Sequence, residues 1–141
     1  MNKIIIGTGL LITALIVGGC NKTEQAATGS GADSQDEAVV VELDDVSFDA
    51  AIANGVVLVD FWAPWCPPCR QQSPLVDKAA GQLAGKAIVA KVNVDKGKVT
   101  AGKFNISSIP TLIVFKDGKE VKKFVGVTQP DALVEAVNAA L

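Results

Sequence analysis

The sequence predicts an α/β domain, a mixed β-sheet with helices on both faces. Three observations lead there. Short apolar runs alternate with stretches of helical spacing along residues 39–141, in the order β-α-β-α-β-α-β-β-α. The run at residues 56–61 is almost continuously apolar, as a strand covered on both faces is, and the run at 87–94 is again mostly apolar. The last two runs are joined by Asp117-Gly118, a tight-turn signal that makes them an antiparallel pair.

Taken in order, Val39-Val40-Val41-Glu42-Leu43 is the first β-rich run. Ser47 is placed to cap a short helix that carries Phe48, Ala51 and Ile52 on one face and stops at Asn54-Gly55. Residues 56–61 follow as a central strand. A helix is expected from Cys69 to about Ala84, with Leu75, Val76, Ala79, Ala80 and Leu83 spaced by threes and fours on its apolar face. Pro74 lies inside it and should kink it, and Gly85 ends it. After the strand at 87–94 comes a weaker helix over 98–104, with Asn105 able to take the left-handed conformation at its end. The lysines between Lys96 and Lys103 read as its solvated face. Residues 111–115 and 121–125 form the hairpin. Thr128, with Asp131 three residues on, resembles a capping box for a last helix presenting Leu133, Val134, Val137 and Leu141.

The chain has 141 residues, enough for one domain with a proper core and some excess. Lys and Arg number 13 against 15 Asp and Glu, so no basic surplus exists to attract nucleic acid. Histidine is absent, which removes Cys-His proteases and mixed Cys/His zinc sites; three cysteines cannot fill a four-thiolate zinc site either. The excess lies at the start. Asn2-Lys3, an apolar run from Ile4 to Val17 and then Gly18-Gly19-Cys20 make an export signal, somewhat short for a spanning helix. Val17-Gly18-Gly19-Cys20 resembles the lipobox of bacterial lipoproteins, which implies cleavage before Cys20 and acylation of its thiol and new amine. A thioether-linked diacylglycerol plus an amide-linked chain would exceed the two signals that stable membrane anchoring takes. Residues 21–38 hold no large apolar side chain and are expected to be a disordered tether, spanning roughly 20–25 Å. The expected division is therefore 1–19 signal peptide, 20–38 lipidated cysteine and linker, and 39–141 the folded domain.

Chemistry concentrates in Phe61-Trp62-Ala63-Pro64-Trp65-Cys66-Pro67-Pro68-Cys69-Arg70, where a strand hands over to a helix. A thiol at a helix N-terminus faces unpaired N–H groups and the positive end of the macrodipole, which favour its thiolate. The thiolate is the form that attacks a disulfide, and a second thiol three residues on can close the bond again. A purely structural bridge is the alternative, but so small a loop gains little from closure. Asp60 is placed in an apolar strand, where a carboxylate is expensive unless partnered or neutral.

These residues resemble the thioredoxin family along nearly all of 39–141. The matching motifs are Val59-Asp60-Phe61-Trp62-Ala63, Trp65-Cys66-x-Pro68-Cys69, Pro74, Ala90-Lys91-Val92-Asn93-Val94-Asp95, Ile109-Pro110-Thr111 and Gly126. Pro67 departs from the glycine usual there. The resemblance implies a thioredoxin fold, a cis Ile109–Pro110 bond and disulfide exchange, with no cofactor beyond the Cys66–Cys69 redox disulfide. It implies an exposed Cys66 that attacks and a buried Cys69 that resolves. Asp60 would accept the Cys69 proton, through water, with Lys91 as its electrostatic neighbour. Trp62, Trp65, Ile109 and Pro110 would form an apolar rim for substrate, although Trp62 reads equally as core; Gly126 either leaves room for substrate or marks a bend. The expected partners are disulfide-containing exported proteins and an integral membrane thiol carrier that recharges a monomeric domain. With no N–H on Pro67 or Pro68 and no histidine to support the thiolate, a reducing poise is expected. Two other readings stand beside this one. Paired thiolates suit Cu(I), although copper carriers of this fold usually add a histidine. The fold could also serve as a peptide-holding surface without redox turnover.

Overall fold

The computed structural model describes residues 39–141, so the expected signal peptide, Cys20 and the linker lie outside the described residues. The elements are β1 (Val40–Leu43), α1 (Phe48–Ile52), β2 (Val56–Trp62), α2 (Pro67–Leu83), β3 (Ile88–Asn93), α3 (Lys98–Lys103), β4 (Thr111–Lys116), β5 (Lys119–Val125) and α4 (Pro130–Ala140). The strands form one sheet in the order β1-β3-β2-β4-β5. β1 and β2 flank β3 in parallel, while β4 runs antiparallel to both β2 and β5. The sheet is mixed, with β2 in the middle, as its apolar run requires.

Alternation along β2 sends its side chains to two cores. Val56 and Leu58 join Val76, Leu83, Leu112, Val114, Leu133 and Val137 under α2 and α4. Val57, Val59 and Phe61 join Phe48, Ile113 and Phe115 on the opposite face, beneath α1. Phe48 sits among three rings, with centroids 6.2 Å from Phe61, 5.4 Å from Phe104 and 5.6 Å from Phe115. Those tilted and edge-on contacts are the arrangements aromatic quadrupoles favour.

Turn chemistry follows local rules at the hairpin. Asp117 and Gly118 both have positive φ, 47° and 80°, the pair of left-handed residues that a tight right-twisted hairpin needs. Asn105 is left-handed after α3, at φ 52°, and the Ile109–Pro110 bond is cis.

Three local expectations are corrected. Helix α2 begins at Pro67, not Cys69, because Pro67 and Pro68 occupy positions whose N–H groups would have no helical partner anyway. Ser47 does not cap α1: its backbone is helical and its side chain turns back to Asp44. Asp44 does the capping work instead, its Oδ1 accepting from the N–H groups of Val46 and Ser47. The Thr128–Asp131 capping box does not form either. Thr128 is held by the side chain of Gln72 on α2, and α4 starts two residues later with Pro130 at its first position. Leu141 lies beyond the end of α4 and is exposed, so it does not belong to that helix's apolar face.

Phe115→Ala would empty a fully buried site next to Phe48 and Phe104. Its expected cost is about 3–5 kcal/mol, the range for a large aromatic side chain removed from a close-packed core. Urea unfolding checks this: the midpoint should fall while the slope stays unchanged.

Candidate active site

Strand β2 delivers Trp62 and Ala63 to a turn, and Cys66 becomes the N-cap of α2 with extended backbone, φ −93° and ψ 109°. Its sulfur stands in for the oxygen of an ordinary capping side chain, accepting from the Cys69 N–H at 3.2 Å. Pro67 and Pro68 offer no N–H, so Cys69 is the first residue of the helix able to donate. Cys66 and Cys69 form a disulfide with their Cα atoms 5.3 Å apart. Both are only 3% exposed and pack with Ala63 against Trp62, Val94 and Ile109. Cys66 is thus less open than the resemblance implies, because the half-buried Trp62 and Ile109 close over it in the oxidised state.

Ile109 places its carbonyl oxygen 3.8 Å from the Cys66 sulfur. In the disulfide this is contact only, since the sulfur has no proton to donate. Pro110 is buried behind it and accepts a hydrogen bond from the Gly126 N–H at 2.8 Å. Gly126 has φ +90°, a conformation that a β-carbon would strain, although open space surrounds that position. Trp65 is 62% exposed, its indole N–H tied to Asp95 at 2.8 Å. Trp62 is half-buried, and its indole N–H is buried without a hydrogen-bond partner.

Asp60 is 1% exposed and has one carboxylate oxygen with no partner. Burial is the main force pushing its pKa up to about 7; the charge of Asp77 pushes the same way and Lys91 opposes them. Lys91 is Asp60's neighbour across the β2/β3 pairing, as expected. Its ammonium nevertheless turns to α2, donating to Ser73 Oγ at 3.0 Å and pairing with Asp77 at 3.5 Å. Lys91 therefore acts on Asp60 through space, and the carboxyl can hold or release a proton near neutrality.

Sequence reasoning missed Ser73 and Asp77, whose importance comes only through Lys91, and Gln72. A signal for Gln72 existed: it continues the buried stripe of α2 back from Val76 toward Cys69, a polar residue on an apolar face. Among the described residues, no group of three or more Cys, Asp or Glu side chains could hold a metal ion, and no helix is long and apolar enough to cross a membrane.

The thioredoxin family model matches residues 39–139. The chain belongs to the thioredoxin family. Thioredoxin from Staphylococcus haemolyticus is 47% identical over 102 residues, covering 72% of this chain and 98% of that protein. Thioredoxin from Staphylococcus aureus is 44% identical over the same shares. The solved structure of a mutant thioredoxin from Halobacterium salinarum is 33% identical and superposes with a TM-score of 0.68, covering 74% of this chain and 92% of that one. With its Cys66–Cys69 pair at the head of α2, this member of the family is a thiol-disulfide oxidoreductase.

Asp60 binds its proton more tightly in the folded domain than in the unfolded chain. The folded state then holds more protons between the ordinary value of 3.8 and about 7, and stability falls as pH rises through that window. At about 1.4 kcal/mol for each tenfold change in proton affinity, this one group accounts for a loss of roughly 3–4 kcal/mol. In oxidised Asp60→Asn that decline should largely vanish; urea unfolding from pH 4 to 8, compared with wild type, measures the difference.

Proposed function

We propose that this protein is an exported, lipid-anchored reductase of protein disulfides, tethered through acylated Cys20. The observation that carries the redox reading is the Cys66 sulfur capping α2 and receiving the Cys69 N–H beside the Ile109 carbonyl. In the reduced protein the same N–H would support a Cys66 thiolate. That thiolate attacks one sulfur of a partner disulfide and expels the other as a thiolate, forming a mixed disulfide. Asp60 takes the Cys69 proton through water, and the Cys69 sulfur attacks Cys66, closing the internal disulfide and releasing the partner with both sulfurs reduced. Two electrons have passed to the partner, so an integral membrane dithiol carrier must return two.

Trp62, Trp65, Ile109, Pro110 and Gly126 are the surface on which we place an extended substrate segment, with the Ile109 backbone as its pairing edge. A reducing poise is supported by the sparse donor set at Cys66: one amide N–H and no histidine, with prolines at both intervening positions. We place the potential near that of thioredoxin, on the order of −270 mV, and a value above about −180 mV would reverse the direction of flow. Export and anchoring are supported by the basic start, apolar run and lipobox-like Val17-Gly18-Gly19-Cys20.

Cys66→Ser should abolish insulin reduction by dithiothreitol above the uncatalysed rate, while Cys69→Ser should accumulate mixed disulfides with envelope proteins on non-reducing gels. Unimpaired reduction by Cys66→Ser would end the redox proposal. For the anchor, labelled fatty acid should enter the wild-type chain but not Cys20→Ala, which should leave the membrane fraction.

A further inference from the structure

One buried polar side chain on α2 has no part in the thiol chemistry, yet it links the cysteines to the substrate surface. Gln72 is fully buried, one turn beyond Cys69. Its amide reads both backbone groups of one residue: Nε2 donates to the Thr128 carbonyl at 3.1 Å and Oε1 accepts from the Thr128 N–H at 2.7 Å. Thr128 lies in the connection between β5 and α4, 56 residues away in the chain. Its hydroxyl donates to the Gly126 carbonyl at 3.1 Å, and the Gly126 N–H holds the Pro110 carbonyl at 2.8 Å. Ile109 precedes Pro110 and faces the Cys66 sulfur. The hydrogen bonds run from the cysteine helix through Gln72, Thr128 and Gly126 to Pro110, and the Ile109 carbonyl's contact with the sulfur brings the path back to Cys66.

We propose that Gln72 is a positioning residue for polypeptide substrates, setting the spacing between the Cys66 sulfur and the Ile109–Pro110 edge. An extended peptide must meet both at once: its disulfide at Cys66 and its backbone at Ile109. A small disulfide needs only the sulfur. A buried primary amide suits the task because it satisfies an N–H and a C=O together, and an apolar side chain of equal length would leave both unpaired. Once the clamp is lost, residues 126–128 drift from α2 and the Ile109 edge loses its register with Cys66. Polypeptide disulfides then react more slowly, while the thiolate itself is untouched.

The proposal rests on the oxidoreductase reading of the site, and paired substrates separate the two. Second-order rate constants of the reduced protein are measured with insulin and with an aryl disulfide, dithiobis-nitrobenzoate. Wild-type reaction with the aryl disulfide reports the thiol chemistry; the insulin-to-aryl ratio reports the clamp. Gln72→Met should lower the insulin rate about tenfold and leave the aryl rate within about twofold, since misplacement of a binding edge penalises only substrates that use it. Equal loss with both substrates means Gln72 only supports the fold, and no loss with either means the spacing is set elsewhere; each result overturns the proposal. Hydrogen exchange on the wild-type protein adds a test that needs no variant. The Thr128 amide should be protected together with the amides of α2, and exchange at the rate of an open loop would show that the clamp does not persist, also overturning it.

Discussion

In the first turn of α2 the capping group and the reacting group are the same atom. A helix start leaves N–H groups without partners, and here two of the first three residues are prolines that have none to leave. The remaining one, on Cys69, points at the Cys66 sulfur. Local backbone satisfaction and thiol chemistry are therefore inseparable at this junction. The rest of the site serves it: β2 carries the chain to the turn, the core on each face holds β2 still, and the cis Ile109–Pro110 loop supplies the edge beside the sulfur.

Asp60 shows what that placement costs. A carboxylate in the central strand, with one oxygen unpartnered, is kept at a raised pKa mainly because water is excluded from it. Lys91 is close enough in register to neutralise it, yet Ser73 and Asp77 hold the ammonium toward α2. A direct ion pair would have made Asp60 a permanent anion. Held as it is, the group stays poised near neutrality, at the expense of stability above its pKa. Local inconsistency of this kind, a polar group left incompletely satisfied inside an otherwise consistent core, is what functional sites typically retain.

Much of this was legible along the chain. The apolar run of β2, the spacing of Val76, Ala79, Ala80 and Leu83, and the Asp117-Gly118 turn each depend on residues a few positions apart, so periodicity and turn chemistry find them. The pairing of Cys66 with Cys69 is equally local. The helix caps were misread because a nearby hydroxyl is not the only available acceptor or donor. Ser47 turns its side chain to Asp44, and Thr128 is engaged by Gln72 from another element. Asp45 reaches the N-terminus of α3 in the same way, accepting from the N–H groups of Val99 and Thr100 across 54 and 55 positions. Partners as far off in the chain as Gln72 and Asp45 carry no spacing signal.

The order of strands and helices, the identity of the redox pair and the anomaly of an acid in a dry strand were determined by the sequence alone, because each is a matter of short-range pattern. Tertiary structure decided which groups surround them. It closed Trp62 and Ile109 over the cysteines, turned Lys91 from Asp60 toward Ser73 and Asp77, and joined Gln72 to Thr128. Those outcomes depend on the approach of elements distant in the chain, and desolvation and hydrogen-bond satisfaction acquire their values only when that approach is complete.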